Sequence, residues 1–429
     1  MDNSEKPDQF LHYRNLANFA VSISCLANLI WIWKYNTHHA IALPITFAHL
    51  VFDFPFATPE IKLHHFFGIL IALSNYAFQV KVENSWHLFK SIYQTELSSI
   101  FYVFRYWITE DNRFLKNRFS KKSIATIKQI NDLLFYVAFL KFRVYDYTKD
   151  VILNAEGFEL METHLEGRFD RRAILYSGLC GLYLLNLYWF VIMTKIAFKP
   201  LVKMAVKYLS TKQAIIYDQT FTQYSAFFQI PVVIYVYSKF ANESYFFDII
   251  GISTLSVASN HYHYLSAEYY EKHGVINYSD CNLSDAYLDD QAAIHLRAFL
   301  SLISALYYSE NSGWIWISGS LHLGSVIATV RYVRKLQRTS ANPTGEPTNE
   351  SGSKLLQFTN LATALPIALD IAIIALHSSS NIAAIKNVTV SYLCLLALTV
   401  RPFYEFNHSV FHALLIVQSY YISQCNLRA

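Results

Sequence analysis

His408-Ser-Val-Phe-His412-Ala-Leu-Leu-Ile-Val-Gln-Ser-Tyr-Tyr-Ile-Ser423 joins two histidines four residues apart to an apolar run able to enter a bilayer. On a helix those imidazoles lie one above the other on one face, within reach of a single metal ion. Ionisable groups at the mouth of a membrane helix are costly and persist where they are used. The stretch therefore sets two expectations at once: a membrane helix, and a metal site built at its head.

Composition agrees with a membrane setting. The 429 residues are 53% hydrophobic and 16% aromatic, with 15% charged, whereas soluble domains carry about a quarter charged residues. Tyr and Phe, at 31 and 32 copies, suit aromatic belts at bilayer interfaces. The net charge of +4 comes from loops rather than one basic surface, which argues against a nucleic-acid partner. Five scattered cysteines without a CxxC imply no disulfide framework. Residues 1–15 are polar and lack a hydrophobic signal core, so insertion is expected to fall to the first membrane helix.

Apolar runs of about twenty residues read as membrane spans. Six lie near 17–35, 41–57, 64–80, 94–109, 128–145 and 174–197. A basic stretch, Lys199 to Lys212, follows. Seven more lie near 218–238, 244–264, 285–307, 313–333, 357–377, 381–400 and 406–424. The expected fold is an all-α polytopic membrane protein of about 13 transmembrane helices, with a six-span domain over 1–205 and a seven-span domain over 206–429. Leu336 to Lys354, rich in Ser, Thr, Asn, Pro and Gly, reads as a flexible loop. Basic residues crowd the loops after the fourth, sixth and tenth runs, which places those loops and the N-terminus in the cytosol. Arg168, Arg171 and Arg172, after the fifth run, pull the other way.

The eighth run ends in Ser256-Val-Ala-Ser259-Asn-His261-Tyr-His263, where Ser259 and His263 share a helical face. The ninth opens with Asp289-Asp290, and the last with His408 and His412. Span parity puts these three ends on one side of the membrane. Three imidazoles and a carboxylate suit a catalytic Zn2+, with His263, His408 and His412 as ligands and a fourth position for water. Such an ion lowers the pKa of water towards about 7. Asp289 or Asp290 would take the water's proton, and Ser259 would orient that acid or hydrogen-bond a developing oxyanion. His261 stays open as an alternative ligand. His39, His49, His322 and His377 are expected as interfacial or hydrogen-bonded residues.

SxxxH closing one run, Asp opening the next and HxxxH in the last resemble the CREST superfamily of seven-span membrane hydrolases, which includes alkaline ceramidases and adiponectin-receptor-type proteins. Tyr404 through Leu415 and Phe221 through His263, with Phe227-Phe-Gln-Ile-Pro231, are similar to the branch that holds myomaker and the post-GPI-attachment phospholipase. The resemblance covers roughly 215–424. It implies zinc ligands at His263, His408 and His412, the family serine at Ser259 and its acid at Asp289 or Asp290.

In the first half, Lys62-Leu-His64-His65 opens the third run, Glu96-Leu-Ser-Ser99 begins the fourth with Arg105 and Trp107 downstream, and Asn186-Leu-Tyr-Trp189 lies in the sixth. Adjacent histidines point about 100° apart on a helix, so His64 and His65 cannot share one metal as an i,i+4 pair does. These motifs resemble the TLC-domain family of ceramide synthases and lipid-sensing relatives, over roughly 17–200. The resemblance implies a catalytic role for His64 and His65. The intramembrane acids Asp53, Glu96 and Asp132 do not form the acidic pair of that family.

The expected function is zinc-dependent intramembrane hydrolysis of an amide or ester bond in a membrane lipid, ceramide- or phospholipid-like. The paired family resemblances imply sphingolipid or related acyl-lipid metabolism in the endoplasmic reticulum, Golgi or plasma membrane. Two alternatives stand beside it: a non-enzymatic lipid transporter, sensor or membrane-fusion factor, and a TLC-type acyltransferase using His64 and His65. The sequence assigns no oligomeric state.

Overall fold

Long runs of Leu, Ile, Val, Phe and Ala, broken by few glycines and prolines, leave a chain in an apolar medium one way to satisfy its amides locally, the helix. A computed structural model describes residues 9–35, 42–78, 86–109, 119–154, 169–208, 211–238, 245–278, 280–307, 313–340, 349–378, 381–400, 402 and 406–426. Among these residues the regular structure is all helical, without a strand. The first half comprises α1 (Gln9–Tyr35), α2 (Ala42–Asp53), α3 (Pro59–Phe78), α4 (Trp86–Thr95), α5 (Leu97–Thr109) and α6 (Lys121–Ala138), which runs into π-helical turns at Phe139–Asp146 and Thr148–Ile152. After α7 (Phe169–Tyr208) come α8 (Thr211–Ser225), α9 (Gln229–Ser238), α10 (Tyr245–His273), α11 (Cys281–Leu306), α12 (Gly313–Ser340), α13 (Asn349–His377), α14 (Asn381–Val400) and α15 (Asn407–Asn426). All five cysteines are free.

Five helices of the described residues are long and apolar enough to cross a membrane: Tyr13–Tyr35, Ile174–Met204, Gly313–Arg338, Phe358–His377 and Ile382–Val400. That is fewer than the thirteen spans expected, and the shortfall has two physical causes. Some expected runs are too short once folded. The 12 residues of α2 extend only ~18 Å at 1.5 Å per residue, against a hydrocarbon core of ~30 Å. The run at 94–109 divides at Glu96 into α4 and α5, and that at 218–238 divides at Ala226–Phe228 into α8 and α9. Other runs are long but polar, as in α11 with Asp285, Asp289, Asp290 and Arg297. The expected loop at 336–354 is helical to Ser340 and again from Asn349, and 341–348 lie outside the described residues. So do the basic residues Arg113, Lys116, Arg118 and Arg168.

The chain forms two compact units, Met1–Met193 and Thr194–Ala429, which divide inside α7 ahead of the basic stretch. In the first unit α1 packs on α2, α4 and α5 around Val21, Cys25, Leu29, Ile32 and Tyr93. In the second, α8 and α9 pack on α10, α10 on α11, α11 on α12 and α13, α13 on α14, and α14 on α15. The last helix, α15, returns to touch α8 and α9. This closure brings residues some two hundred positions apart to one place, and it builds the site.

Within the first unit α7 approaches α3 through two glycines. A methyl group at Gly181 would overlap the Phe67 ring, and one at Gly178 would lie 2.9 Å from Ile71 Cγ1 and 3.2 Å from the Phe67 carbonyl. Small residues at a helix crossing let backbones approach closely in lipid. Gly181→Ala is expected to cost about 1–3 kcal/mol by overpacking, read as a lower Tm of the detergent-solubilised chain. Adding Phe67→Leu should recover part of the loss, and an unchanged Tm in Gly181→Ala would refute the close crossing.

Candidate metal centre

Asp218, Gln219, Thr222 and Ser225 lie at helical spacing on α8, and all four are buried. This polar face receives the head of α15. Asp218 Oδ1 accepts from the Ser409 amide at 2.9 Å and from its hydroxyl at 2.5 Å, satisfying a first-turn amide that the helix itself leaves unpaired. On the other flank, Asn407 Nδ2 donates to the Ala397 carbonyl of α14. With α15 held at both sides, His408 and His412 face His263 of α10.

The three rings form a tight triangle. Centroid separations are 4.9 Å for His263–His408, 5.4 Å for His263–His412 and 4.9 Å for His408–His412. One nitrogen from each ring lies within 4.8 Å of the other two, close enough to hold one metal ion. His263 and His412 are buried and His408 is half-buried.

The outer nitrogens of His263 and His412 are already engaged. His263 Nδ1 donates to Gln219 Oε1 at 2.7 Å. Ser225 Oγ lies 2.7 Å from His412 Nδ1 and gives its one proton to the Thr222 carbonyl at 2.8 Å. Towards His412 it can only accept, so Nδ1 of His412 carries the hydrogen. In both rings Nε2 is then the lone-pair nitrogen. A partner on the far nitrogen that fixes tautomer and ring angle is what metal-binding histidines require. The donor set therefore fits a divalent transition metal.

Ser259 lies one turn before His263 on α10, 1% exposed, and directs its hydroxyl to the Asp290 carboxylate of α11. Asp290 is buried and its Oδ1 has no protein partner. Its neighbour Asp289 is exposed. His261, the alternative ligand, is exposed as well; two residues from His263, it points about 200° round the helix. Tyr262 lies against the His263 ring at 4.8 Å and bonds Tyr278 at 2.8 Å, walling this side of the cluster.

The α8 residues Asp218, Gln219 and Ser225 were not singled out from the sequence. Their one signal is the spacing of polar groups in a short helix, which an exposed amphipathic helix shares.

In the first unit His64 and His65 diverge. His64 Nε2 lies 3.9 Å from Glu96 Oε1, and its ring is 5.5 Å from Trp189. Glu96 also accepts from Ser99 at 2.9 Å and pairs with Arg143 at 3.6 Å. The π-helical turns carry Arg143 to the Thr95 carbonyl and the Ser98 and Ser99 hydroxyls. His65 instead faces Asp53 at 3.7 Å. His49, Asp53 and His65 form a second group close enough to hold a metal. Arg14 spans both oxygens of that carboxylate at 2.5 and 2.8 Å, so a second cation there meets like charge. Asp132 pairs with Arg105 at 3.2 Å. Of the expected interfacial histidines, His377 bonds the Ile373 carbonyl and His39 lies outside the described residues.

Comparison with protein families, curated proteins and solved structures finds no match to this chain.

The purified chain is expected to take up one Co2+ at the triangle, followed by visible absorption, and His263→Ala or His412→Ala should abolish uptake. Gln219→Leu and Ser225→Ala should each weaken affinity by roughly 10–100-fold. Affinity should fall as pH drops, because a protonated imidazole cannot ligate. Undiminished uptake by the double variant His263→Ala/His412→Ala would place the metal elsewhere.

Proposed function

We propose that this is a polytopic integral membrane protein whose second unit is a zinc-dependent, CREST-type hydrolase cleaving an amide or ester bond of a ceramide- or phospholipid-like membrane lipid. One observation carries the reading. Three imidazoles converge within 4.8 Å, and buried Ser259, one turn before His263 on α10, is hydrogen-bonded to the buried Asp290 carboxylate of α11. Three nitrogen ligands leave a zinc ion one position open, the pattern of catalytic rather than structural zinc. When bound, zinc supplies Lewis acidity and makes water a nucleophile near neutral pH.

The protein's own groups divide the remaining work. Gln219 and Ser225 hold two rings in one tautomer and one orientation. Asp290 accepts the proton of the attacking water as the new C–O bond forms at the lipid carbonyl. It returns that proton to the leaving amine or alcohol as the old bond breaks. Ser259 keeps the carboxylate aimed during both transfers. Helices α8, α10, α11 and α15 supply the site's residues, and the apolar character of the chain supports a lipid substrate. The resemblance of the first half to TLC-domain proteins supports an acyl-lipid or sphingolipid substrate, by association rather than by residue chemistry.

A second reading, acyl transfer in the first unit, draws on His64, which is paired with Glu96 and whose buried Nδ1 has no partner.

The test is the full chain in vesicles containing ceramide or phosphatidylcholine, with released fatty acid measured by mass spectrometry. Asp290→Asn should lower kcat by roughly 10²–10⁴-fold while bound zinc is retained, and Asp289→Asn should change little. A zinc-loaded chain that releases fatty acid from neither lipid would sink the hydrolase reading in favour of a transporter, sensor or fusion factor. Loss of acyl products in His64→Ala alone would favour the transferase.

A further inference from the structure

A second polar cluster in the second unit has no part in the metal centre. His295 of α11, His322 of α12 and Asp370 of α13 are buried at 2%, 4% and 2% exposure. They form one hydrogen-bonded chain. His295 Nδ1 meets His322 Nδ1 at 2.7 Å, and His322 Nε2 meets Asp370 Oδ2 at 2.7 Å. The other carboxylate oxygen, Oδ1, accepts from the Ser318 hydroxyl at 2.5 Å. Phe299 covers the His322 ring at 6.1 Å. His322, expected as an interfacial or hydrogen-bonded residue, is the middle of this chain.

The carboxylate sets the direction of every bond. It accepts only, so His322 Nε2 carries a hydrogen. In the neutral ring His322 Nδ1 is then an acceptor, and His295 Nδ1 must donate to it. What remains is Nε2 of His295, a lone-pair nitrogen that is buried with no partner. It lies five residues beyond Asp290, about 140° round α11, so it faces away from the metal centre. An interior imidazole with a free basic nitrogen, backed by a second imidazole and a carboxylate, is expensive in a membrane helix bundle unless it carries protons.

We propose that His295, His322 and Asp370 form a proton-binding relay, a second functional site whose entrance is Nε2 of His295 and whose counter-ion is Asp370. A proton arriving at Nε2 of His295 makes that ring cationic. Its Nδ1 proton then passes to Nδ1 of His322, and the charge comes to rest beside the Asp370 carboxylate. The chain gains one proton from the aqueous phase and no other bond changes.

The other buried charged residues of α10 and α11 among the described residues, Asp248, Asp290 and Arg297, have partners outside the relay. Asp248 of α10 accepts from Tyr237 and from Ser301, the latter at 2.5 Å. Arg297, two residues past His295, turns to Ser419 of α15 at 2.6 Å. Asp290 faces Ser259. His322 and Asp370 are therefore the partners that govern proton uptake.

A network that only pins helices gives no reason for both rings to share one proton or for Asp370 to set its affinity. The relay predicts a titration, read by 15N-histidine solid-state NMR of the full chain in lipid vesicles. In the wild type, resonances of His295 and His322 should shift together as a single proton is taken up. Asp370→Asn should move that titration to lower pH by roughly 1–3 units, because the imidazolium loses its counter-ion. Ser318→Ala, which keeps the charge but frees one carboxylate oxygen, should move it to higher pH and serves if Asp370→Asn does not fold. Histidines that stay neutral throughout the folded range, or a titration that neither variant moves, would overturn the relay.

Discussion

Asp218 accepts two hydrogen bonds from Ser409 and so ties the head of the last helix to the first helix of its unit. The rest of the centre depends on that tie. It sets the rotation of α15, and rotation decides whether His408 and His412 face the interior or the surface. The same α8 face supplies Gln219 and Ser225 to the outer nitrogens of His263 and His412. One helix thus fixes the position of the ligands and their tautomers. A metal ion arriving there meets rings already turned for it, which lowers the ordering cost of binding.

Both units bury polar groups. Arg14–Asp53 and Arg143–Glu96 in the first unit are charge pairs whose members neutralise one another, and His64 lies beside Glu96 at 3.9 Å. Removing one member of such a pair typically costs about 3–5 kcal/mol, because the other is left uncompensated. Buried atoms with no protein partner occur in both units, among them His64 Nδ1 and His65 Nδ1 in the first and Asp290 Oδ1 and His295 Nε2 in the second. Left bare, a buried polar atom costs about 1–3 kcal/mol. Residues retained at such a cost are where chemistry is expected, and Asp290 and His295, five residues apart, lie on different faces of α11.

The i,i+4 pairs Ser259–His263 and His408–His412 were legible from the sequence because helical spacing is local and survives any tertiary arrangement. Parity of apolar runs set the expectation that they share one level, and in the structure the three imidazoles meet. The choice between Asp289 and Asp290 was not legible. Adjacent residues point about 100° apart, so which one turns inward depends on how α11 is rotated against α10. Hydropathy also overstated the number of long membrane helices, since it cannot see the breaks at Glu96 and at Ala226–Phe228.

By itself the sequence determined the helical class, the apolar character and the local pairing of ligands, all properties of neighbouring residues. Only the tertiary structure decided which distant groups meet. His295, His322 and Asp370 come from three helices with no spacing to announce them, and Gln219 reaches His263 across 44 positions. The reason is closure of the second unit, where α15 packs back on α8 and α9. Contacts made by closure depend on helix rotation and depth, and no run of neighbouring residues encodes either.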